Sequence, residues 1–372
     1  MCEGIKYCKN IAAVAVSFIL LLTVTACEKD DTGLNDGAIV FGVEEDVDRK
    51  NITRSDVLTI QNLQQKGFGV FAYYTAQEPW NEYDSSTGEK FMNNIQVLSS
   101  DNGVTWHYNP TMFWPLAPGN KLTFFAYAPY VRSFALDGTK ISFDVASQVE
   151  KQIDLTWSKS YTSDLMYSTQ GDAPVIFRFR HALACIAFNV HAHAKDAASL
   201  PEHVIVRIKR VDITSSASHD FSGSGEFYNK GVLDIENLTD YPAWSACTGS
   251  VSYSLLPKNF VGKQAAGFDL THENTLNAVP LNAADSYIML IPQDFSVKGF
   301  NVVVEYDVVL YDQAGNYHST YTNVGYGTVY KDLEPNKVYN IGIDIDMQKI
   351  TLDVSVEKWK NAEGVHLDGL LD

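Results

Sequence analysis

Apolar residues at every second position recur along this sequence, and this spacing constrains the fold more than any other feature. In residues 350–357 (ITLDVSVE), for example, Ile350, Leu352, Val354 and Val356 alternate with polar residues. Side chains of a β-strand point alternately to opposite faces, so such stretches predict strands with one face on a core and the other in water. The same pattern recurs in residues 175–190, 204–209 and 341–346.

Helical spacing is much rarer than this alternation. Residues 55–66 (SDVLTIQNLQQK) are the best candidate for a helix, with Val57, Ile60 and Leu63 at helical spacing. Aromatic residues make up 12 % of the 372 residues and favour pleated, half-buried surfaces. Many short strands separated by Gly, Pro, Asn and Asp are typical of β-sandwiches, so we predict an all-β protein.

A polar, turn-rich stretch at 168–174 (STQGDAP) is a candidate domain boundary, because the long alternating run starts directly after it. We therefore predict a first β-sandwich domain at 38–172 and a second at 173–360. Each segment is long enough to bury a core of its own. Residues 27–37 are predicted to be a tether.

The N-terminal residues predict export from the cytoplasm. Lys6 and Lys9 precede a twelve-residue apolar run at 11–22 (IAAVAVSFILLL). A helix of that length is too short to span a bilayer core of about 30 Å. The run suits the apolar region of a signal peptide instead, and residues 1–26 are predicted to be one.

Residues 24–27 (VTAC) resemble a bacterial lipobox, which implies cleavage before Cys27 and acylation of that residue. Several acyl chains would anchor the protein stably to a membrane. Residues 28–31 (EKDD) resemble a surface-export signal of lipoproteins, so a surface-exposed protein of the outer membrane is expected. The alternatives are an ordinary signal peptide cut near Ala26 and a plain polar linker at 28–31.

The charge of the chain excludes one class of partner. It carries 45 acidic and 28 basic residues, a formal net charge of −17. Such a surface repels phosphate backbones, so no nucleic acid is predicted as a partner. Beyond Cys27 the chain holds Cys185, which lies in an apolar run and is interpreted as a buried small hydrophobe, and Cys247. A disulfide between these two stays open.

Motifs that carry chemistry are scarce. The sequence contains no GxSxG, HExxH or CxxC motif and no Gly-rich phosphate loop between a strand and a helix. His219 and Asp220 with their neighbouring serines resemble a catalytic triad in composition only, since residues 216–225 (SASHDFSGSG) are typical of a turn-rich loop. We predict a non-enzymatic protein with no catalytic residue, no cofactor and no metal; a hydrolase is the least favoured alternative.

His191 and His193 are two residues apart, so a strand would point both rings to one face. Two such rings could bind a metal if His181 or His203 supplied a third ligand. We interpret them instead as polar side chains at an exposed strand end. The acidic residues in 344–346 (DID) are interpreted in the same way, as side chains on the solvent-exposed face of a sheet.

Aromatic segments leave a second class of function open. Residues 71–74 (FAYY) and 107–115 (HYNPTMFWP) could form a platform that binds sugars, with Trp80, Trp106 and Trp114 as the residues to test. Aromatic side chains more often fill cores. The alternative function is thus a stand-alone surface lipoprotein that binds a glycan or a host protein.

Several segments, in order along the chain, resemble motifs of the fimbrillin-like family, the pilins and adhesins of the type V pilus of anaerobic Gram-negative bacteria. Thr53 and Arg54 follow a candidate first strand at 38–43 (AIVFGV), as the family's Thr-Arg follows its first strand. The other matching segments are 68–74 (FGVFAYY), 114–130 (WP, then KLTFFAYAPY), 164–190 (DLMYS, then FRFRHALACIAFNV), 290–295 (LIPQDF) and 333–359 (LEPNKVYNIGIDIDMQKITLDVSVEKW).

The resemblance implies two tandem transthyretin-like β-sandwich domains and assembly by donor-strand exchange. A protease would cut after Arg54, with Arg49 as second choice, and release both the first strand and the lipid anchor. A strand from a neighbouring subunit would then fill the groove by β-augmentation. Other fimbrial subunits are the implied partners, with an unknown ligand on a host or bacterial surface. His181 is expected to make a core hydrogen bond, and Trp359 to cap the second core.

Residues 361–372 form a C-terminal tail or donor segment. Val365, Leu367 and Leu371 could pair along a neighbour's groove, but the segment is short and only weakly apolar. A stalk subunit would be expected to carry a stronger donor, so a tip, accessory or anchor position in the fimbrium is favoured.

Overall fold

The computed structural model describes most of the chain between Gly37 and Lys358. The described residues are 37–44, 60–101, 103–158, 162–195, 197–222, 225–236, 243–263, 265–283, 286–346 and 349–358. Predictions for the signal peptide, Cys27, Arg49, Arg54, Trp359 and the C-terminal tail lie outside these residues. Among the described helices, none is long and apolar enough to cross a membrane.

Strands dominate the described residues, so the all-β prediction is confirmed. The strands are β1 (Phe41–Val43), β2 (Phe68–Ala76), β3 (Lys90–Val97), β4 (Lys121–Ala128), β5 (Lys140–Asp144), β6 (Thr156–Ser158), β7 (Val175–Phe177), β8 (Phe179–His181), β9 (Ala184–Ala192), β10 (Val204–Ser215), β11 (Lys230–Asp234), β12 (Ala243–Thr248), β13 (Tyr253–Leu255), β14 (Phe268–Leu270), β15 (Val279–Pro280), β16 (Ile288–Leu290), β17 (Gln293–Asp294), β18 (Phe300–Tyr311), β19 (Tyr317–Val329), β20 (Asp332–Leu333), β21 (Lys337–Ile345) and β22 (Ile350–Lys358). Two short α-helices, α1 (Ile60–Lys66) and α2 (Tyr167–Gln170), and 3-10 helices at Trp80–Glu82, Val149–Lys151, Pro257–Asn259 and Val261–Lys263 complete the described elements.

An antiparallel sheet in the order β3-β2-β4-β6-β8 organises the N-terminal half. Both of its faces are covered, as the apolar residues on both sides of β4 predict. Phe124 and Ala126 of β4 pack into one hydrophobic cluster, whereas Phe125 and Tyr127 pack into another. The first cluster, called the groove cluster below, is built around Phe41 and includes buried side chains of β1, β2, β4 and β7.

The C-terminal half contains two larger sheets. One has the order β13-β10-β18-β19, and the other has the order β15-β9-β21-β22. Buried residues of β10 and β18 pack in the same cluster as those of β9 and β21, so the two sheets enclose a common core. This core continues without a break to the face of the N-terminal sheet that carries Phe125 and Tyr127.

The alternating stretch at 175–190 does not form one long strand. It divides into β7, β8 and β9, which pair with β1, β6 and β21 respectively. Between β8 and β9, the Ala182 amide donates to the Leu155 carbonyl, and the chain passes from the N-terminal sheet to the C-terminal one. Alternation along a sequence reports which face a residue takes but not which sheet its strand joins.

The division into domains at 38–172 and 173–360 stays a prediction. Strands β7 and β8 lie after position 172 and pair with strands of the N-terminal half. Strand β5 also pairs with β11, so one small sheet in the order β12-β11-β5 joins residues from both sides of the predicted boundary. The helix predicted at 55–66 is described only from Ile60, where α1 begins.

Candidate functional site: the groove that holds the first strand

Residues 37–44 form a short extended segment that is held in a groove of the N-terminal half. Within it, β1 runs parallel to β7, with Phe41 opposite Val175 and Val43 opposite Phe177. Two backbone bonds flank this pairing: the Val175 amide donates to the Val40 carbonyl at 2.7 Å, and the Glu44 amide donates to the Phe177 carbonyl at 3.0 Å. One edge of the segment is therefore paired as an additional strand.

The opposite edge of the segment meets an irregular loop that precedes β4. The Ile39 amide donates to the Met112 carbonyl at 2.9 Å, and the Trp114 amide donates to the Gly37 carbonyl at 2.7 Å. The Tyr108 hydroxyl also donates to the Ile39 carbonyl at 2.7 Å. The loop thus binds backbone atoms of the segment. Such hydrogen bonds do not depend on the side chains of the bound segment, so they allow many different sequences in the groove.

Phe41 provides the main apolar anchor of the segment. Its side chain is 2 % exposed, and its ring centroid lies 5.1 Å from that of Tyr108, 6.0 Å from that of Phe124 and 5.5 Å from that of Phe177. These rings are inclined to one another, which is the favourable arrangement for aromatic contacts. Phe41 therefore fills an aromatic pocket in the groove cluster.

Polar groups contribute less to this site. The Arg178 Nε donates to the Glu44 carboxylate at 2.8 Å, but both side chains are about half exposed. Burial raises the pKa of the Tyr108 hydroxyl, which keeps it protonated as a donor to Ile39. The buried indole nitrogens of Trp106 and Trp114, in the same cluster, find no hydrogen-bond partner among the described residues.

Open space continues beside the segment. A cavity of about 490 Å³ lies between residues 38–43 and the loop 103–108, and Thr111, Pro174 and Ile176 complete its lining. Chemically, the groove offers an apolar cleft, backbone donors and acceptors on both edges, and room beside the bound segment. This arrangement is suited to binding an extended chain.

The sequence profile of one family matches residues 53–359. That match covers most of the chain. The chain belongs to the fimbrillin-like family.

Known proteins similar to this fimbrillin-like chain agree with that assignment. The fimbrium subunit Fim1C of Phocaeicola vulgatus is 25 % identical over 374 residues, which cover 91 % of this chain and 94 % of that protein. The crystal structure of a fimbrial protein from Bacteroides vulgatus superposes with a TM-score of 0.67 at 21 % identity, covering 87 % of this chain and all of that one. This structural similarity supports the fold described above.

The predicted processing and lipid sites of this fimbrillin-like chain, Arg54, Arg49 and Cys27, lie outside the described residues. Along the chain, Arg54 lies between the groove segment 37–44 and α1, which precedes β2. A cut at that position would therefore separate β1 from every later strand.

The tryptophans suggested as a sugar platform do not form one. Trp80, Trp106 and Trp114 are all buried in hydrophobic clusters, where they pack against other aromatic rings. Within 71–74 only Tyr74 is exposed. The aromatic residues of these segments mainly build the cores of the fimbrillin-like fold.

His181 has the role that the family resemblance implies. Its Nδ1 lies 2.8 Å from the Asp154 Oδ1, and both side chains are buried. The described triad-like residues lie in a turn: the ring of His219 stacks on Tyr326 with centroids 4.2 Å apart, and the Asp220 carboxylate accepts from both the amide and the hydroxyl of Ser222.

The two cysteines after Cys27 are both described, and they form no disulfide with each other. Cys185 is fully buried, as its place in an apolar run predicts. Cys247 is partly exposed on β12, and burial of its thiol raises its pKa.

The histidine pair acquires a third neighbour that the sequence reasoning did not select. His191 and His193 meet Asp344 of the parallel strand β21, whereas His181 is bound to Asp154 and His203 is exposed. In the sequence, only the alternation at 341–346 pointed to Asp344 as a strand residue. Alternation does not show which strand lies beside β9.

Proposed function

We propose that this protein is a non-enzymatic fimbrial subunit whose groove exchanges its own first strand for a strand of another subunit. Membership of the fimbrillin-like family supports the fimbrial assignment. The observation that carries the exchange mechanism is the way in which residues 37–44 occupy the groove. They fill it with one deeply buried aromatic anchor, Phe41, and backbone hydrogen bonds on both edges.

Loss of this segment would leave a binding site for an extended chain. The aromatic pocket of Tyr108, Phe124 and Phe177 would become exposed, together with the unpaired edge of β7. Exposed apolar surface and unpaired strand edges both favour association with another strand. A donor with an apolar residue at the position of Phe41 would restore the contacts.

Proteolysis after Arg54 would release the segment and, with it, the lipid anchor proposed at Cys27. Before that cut, the protein would be held at the outer membrane, exposed on the surface. The weakly apolar segment 361–372 supports a tip, accessory or anchor position over a stalk position, because a stalk subunit must donate a strand as well as accept one.

The first test is the intact mass and N-terminal sequence of the protein isolated from native outer membranes. We expect a chain that begins at Ser55 and carries no lipid, together with oligomers that resist SDS. The Arg54→Lys variant keeps the charge but resists an Arg-specific protease, so it should remain an acylated monomer. The matched Arg49→Lys variant should be processed and should assemble like the native chain.

A chain that begins at acylated Cys27 in the assembled state would overturn the proposed exchange, because the first strand would have stayed in place; the protein would then be an anchor or an independent surface adhesin. A monomer that binds a glycan or a host protein saturably in its uncut form would instead support the stand-alone surface lipoprotein. In that case Arg54→Lys and the native chain would behave alike.

A disulfide lock tests the exchange itself. Gly42 lies opposite Ile176 in the register of β1 and β7, and a Cβ on Gly42 would lie 2.6 Å from the Ile176 side chain. The double variant Gly42→Cys/Ile176→Cys should therefore be able to hold β1 in the groove after the cut. We expect cleavage without oligomers when it is oxidised, and oligomers after reduction; oligomers in the oxidised state would exclude loss of β1 as the cause of assembly.

A further inference from the structure

A second cluster of side chains, remote in sequence from the groove segment, lies where two parallel strands end. Strands β9 and β21 are parallel neighbours, and their register places His191 opposite Asp344. His193 follows β9 directly, and its amide donates to the Ile345 carbonyl at 3.0 Å. The backbone thus holds all three side chains at one end of the sheet.

The potential ligand atoms of these three residues converge. The His191 Nδ1 lies 2.8 Å from the Asp344 Oδ1, and the His193 Nε2 lies 3.4 Å from the Asp344 Oδ2. One donor atom from each residue lies within 4.8 Å of the other two. Zinc binds imidazole nitrogen and carboxylate oxygen at about 2.0–2.2 Å, so neighbouring ligands of a tetrahedral ion are about 3.3 Å apart. The two nitrogen–oxygen distances, 2.8 and 3.4 Å, lie on either side of that value.

His193 is already oriented as a metal-binding histidine usually is. Its Nδ1 lies 2.7 Å from the Ala194 carbonyl, which can only accept a hydrogen bond, so the proton sits on Nδ1. In the neutral ring, Nε2 carries the lone pair and faces the Asp344 carboxylate, so a metal ion placed between them would meet both donor atoms. Metal-bound histidines typically donate their other ring nitrogen to a carbonyl or carboxylate in this way.

The surroundings suit a cation. The Asp344 carboxylate, which lies beside both rings, would attract a positive ion to the cluster. All three side chains are partly exposed, 24 % for His191, 21 % for His193 and 46 % for Asp344, so one side of the cluster faces solvent.

We propose that His191, His193 and Asp344 form a zinc site. Two imidazoles and one carboxylate are a ligand set that Zn²⁺ accepts, with water or a donor atom from another molecule at the fourth position. Binding replaces the hydrogen bond between His191 and Asp344 and displaces any proton on the ligating nitrogen of each ring, while the other ring nitrogen carries a proton. This site departs from the sequence-based prediction that the chain holds no metal, because that prediction lacked Asp344 as the third ligand.

The test uses the purified full chain after treatment with a chelator. Calorimetric titration with Zn²⁺ should show one ion bound per chain, and Co²⁺ should give the visible absorption of a tetrahedral complex with nitrogen and oxygen ligands. His193→Gln and Asp344→Asn should each weaken binding by about tenfold or more, because each removes one of three ligands. His203→Gln changes an exposed histidine elsewhere and should bind as the native chain does.

Zinc should also raise the unfolding temperature of the native chain and of His203→Gln, and at the same zinc concentration should raise that of the ligand variants less. Circular dichroism of each variant without metal checks that it is folded. Absence of binding to the native chain would overturn the proposal and leave the cluster as a hydrogen-bonded group. Equal zinc affinity in His193→Gln and the native chain would overturn it as well.

Discussion

The ring of Phe41 lies against the ring of Phe177, with centroids 5.5 Å apart, and this contact joins the first described strand to β7. Both residues belong to the groove cluster. If β1 leaves as proposed, Phe41 would leave with it and Phe177 would remain in the wall of the groove. The aromatic pocket would then need an apolar side chain of another strand to fill it.

Phe41→Ala should destabilise the uncut chain strongly. The change removes a buried ring from contact with Tyr108, Phe124 and Phe177 and leaves a cavity. Buried Phe-to-Ala changes cost about 3–5 kcal/mol of unfolding free energy. Denaturant-induced unfolding of the full chain, followed by tryptophan fluorescence, measures the loss.

Two variants near Phe41 serve as controls. Phe113 is 56 % exposed, so Phe113→Ala should change the unfolding free energy by no more than about 0.5 kcal/mol. Arg178→Ala removes the surface ion pair with Glu44 and should cost about 1 kcal/mol or less. If Phe41→Ala costs no more than these two, the first strand is not anchored by its aromatic ring.

Asp154→Ala should destabilise the protein by about 1–3 kcal/mol, because it deprives the buried His181 ring of a hydrogen-bond partner. Asp353 is an exposed carboxylate on β22, so Asp353→Ala is the matched control and should be near neutral. Thermal and denaturant unfolding of both variants give the comparison. Equal stability of the two would show that the His181–Asp154 contact contributes nothing to the fold.

Stability should fall at alkaline pH, in part because of Tyr73. This buried residue donates to the Gly138 carbonyl at 2.6 Å, and burial, followed by the nearby Tyr83 and Asp137, raises its pKa from 10.0 to about 12. The folded state keeps the proton at a pH where the unfolded chain releases it. The contribution is therefore complete below pH 10 and is lost as the pH rises from 10 to about 12.

The variant Tyr73→Phe isolates the contribution of the Tyr73 hydroxyl to the loss of stability at alkaline pH. It loses one hydrogen bond, so it should be about 1 kcal/mol less stable at neutral pH. Its stability should also decline less through the alkaline range. Burial raises the pKa of Tyr127 and of Tyr253 as well, so these two residues should account for the rest of the decline. Tyr74→Phe, at the exposed neighbouring position, should follow the native profile. An unchanged alkaline decline in Tyr73→Phe would contradict the assignment.

Local patterns predicted much of the fold correctly. Alternation along 341–345 and 350–357 predicted β21 and β22. These predictions succeed because the direction of a side chain on a strand depends only on its own position. The stretch at 175–190, in contrast, is one alternating run in the sequence but forms three strands in the structure, because its pieces β7, β8 and β9 differ in pairing partner and not in pattern.

Alternation, composition and local motifs are enough to predict that the chain is all-β, which faces of its strands are buried and that it resembles the fimbrillin-like family. Which strands are neighbours is visible only in the folded chain. The fold places Phe41 beside Phe177 and Asp344 beside His191, although each pair is far apart in the sequence. Strand pairing arises from the joint packing of all sheets around shared cores, and no short stretch of sequence contains that information.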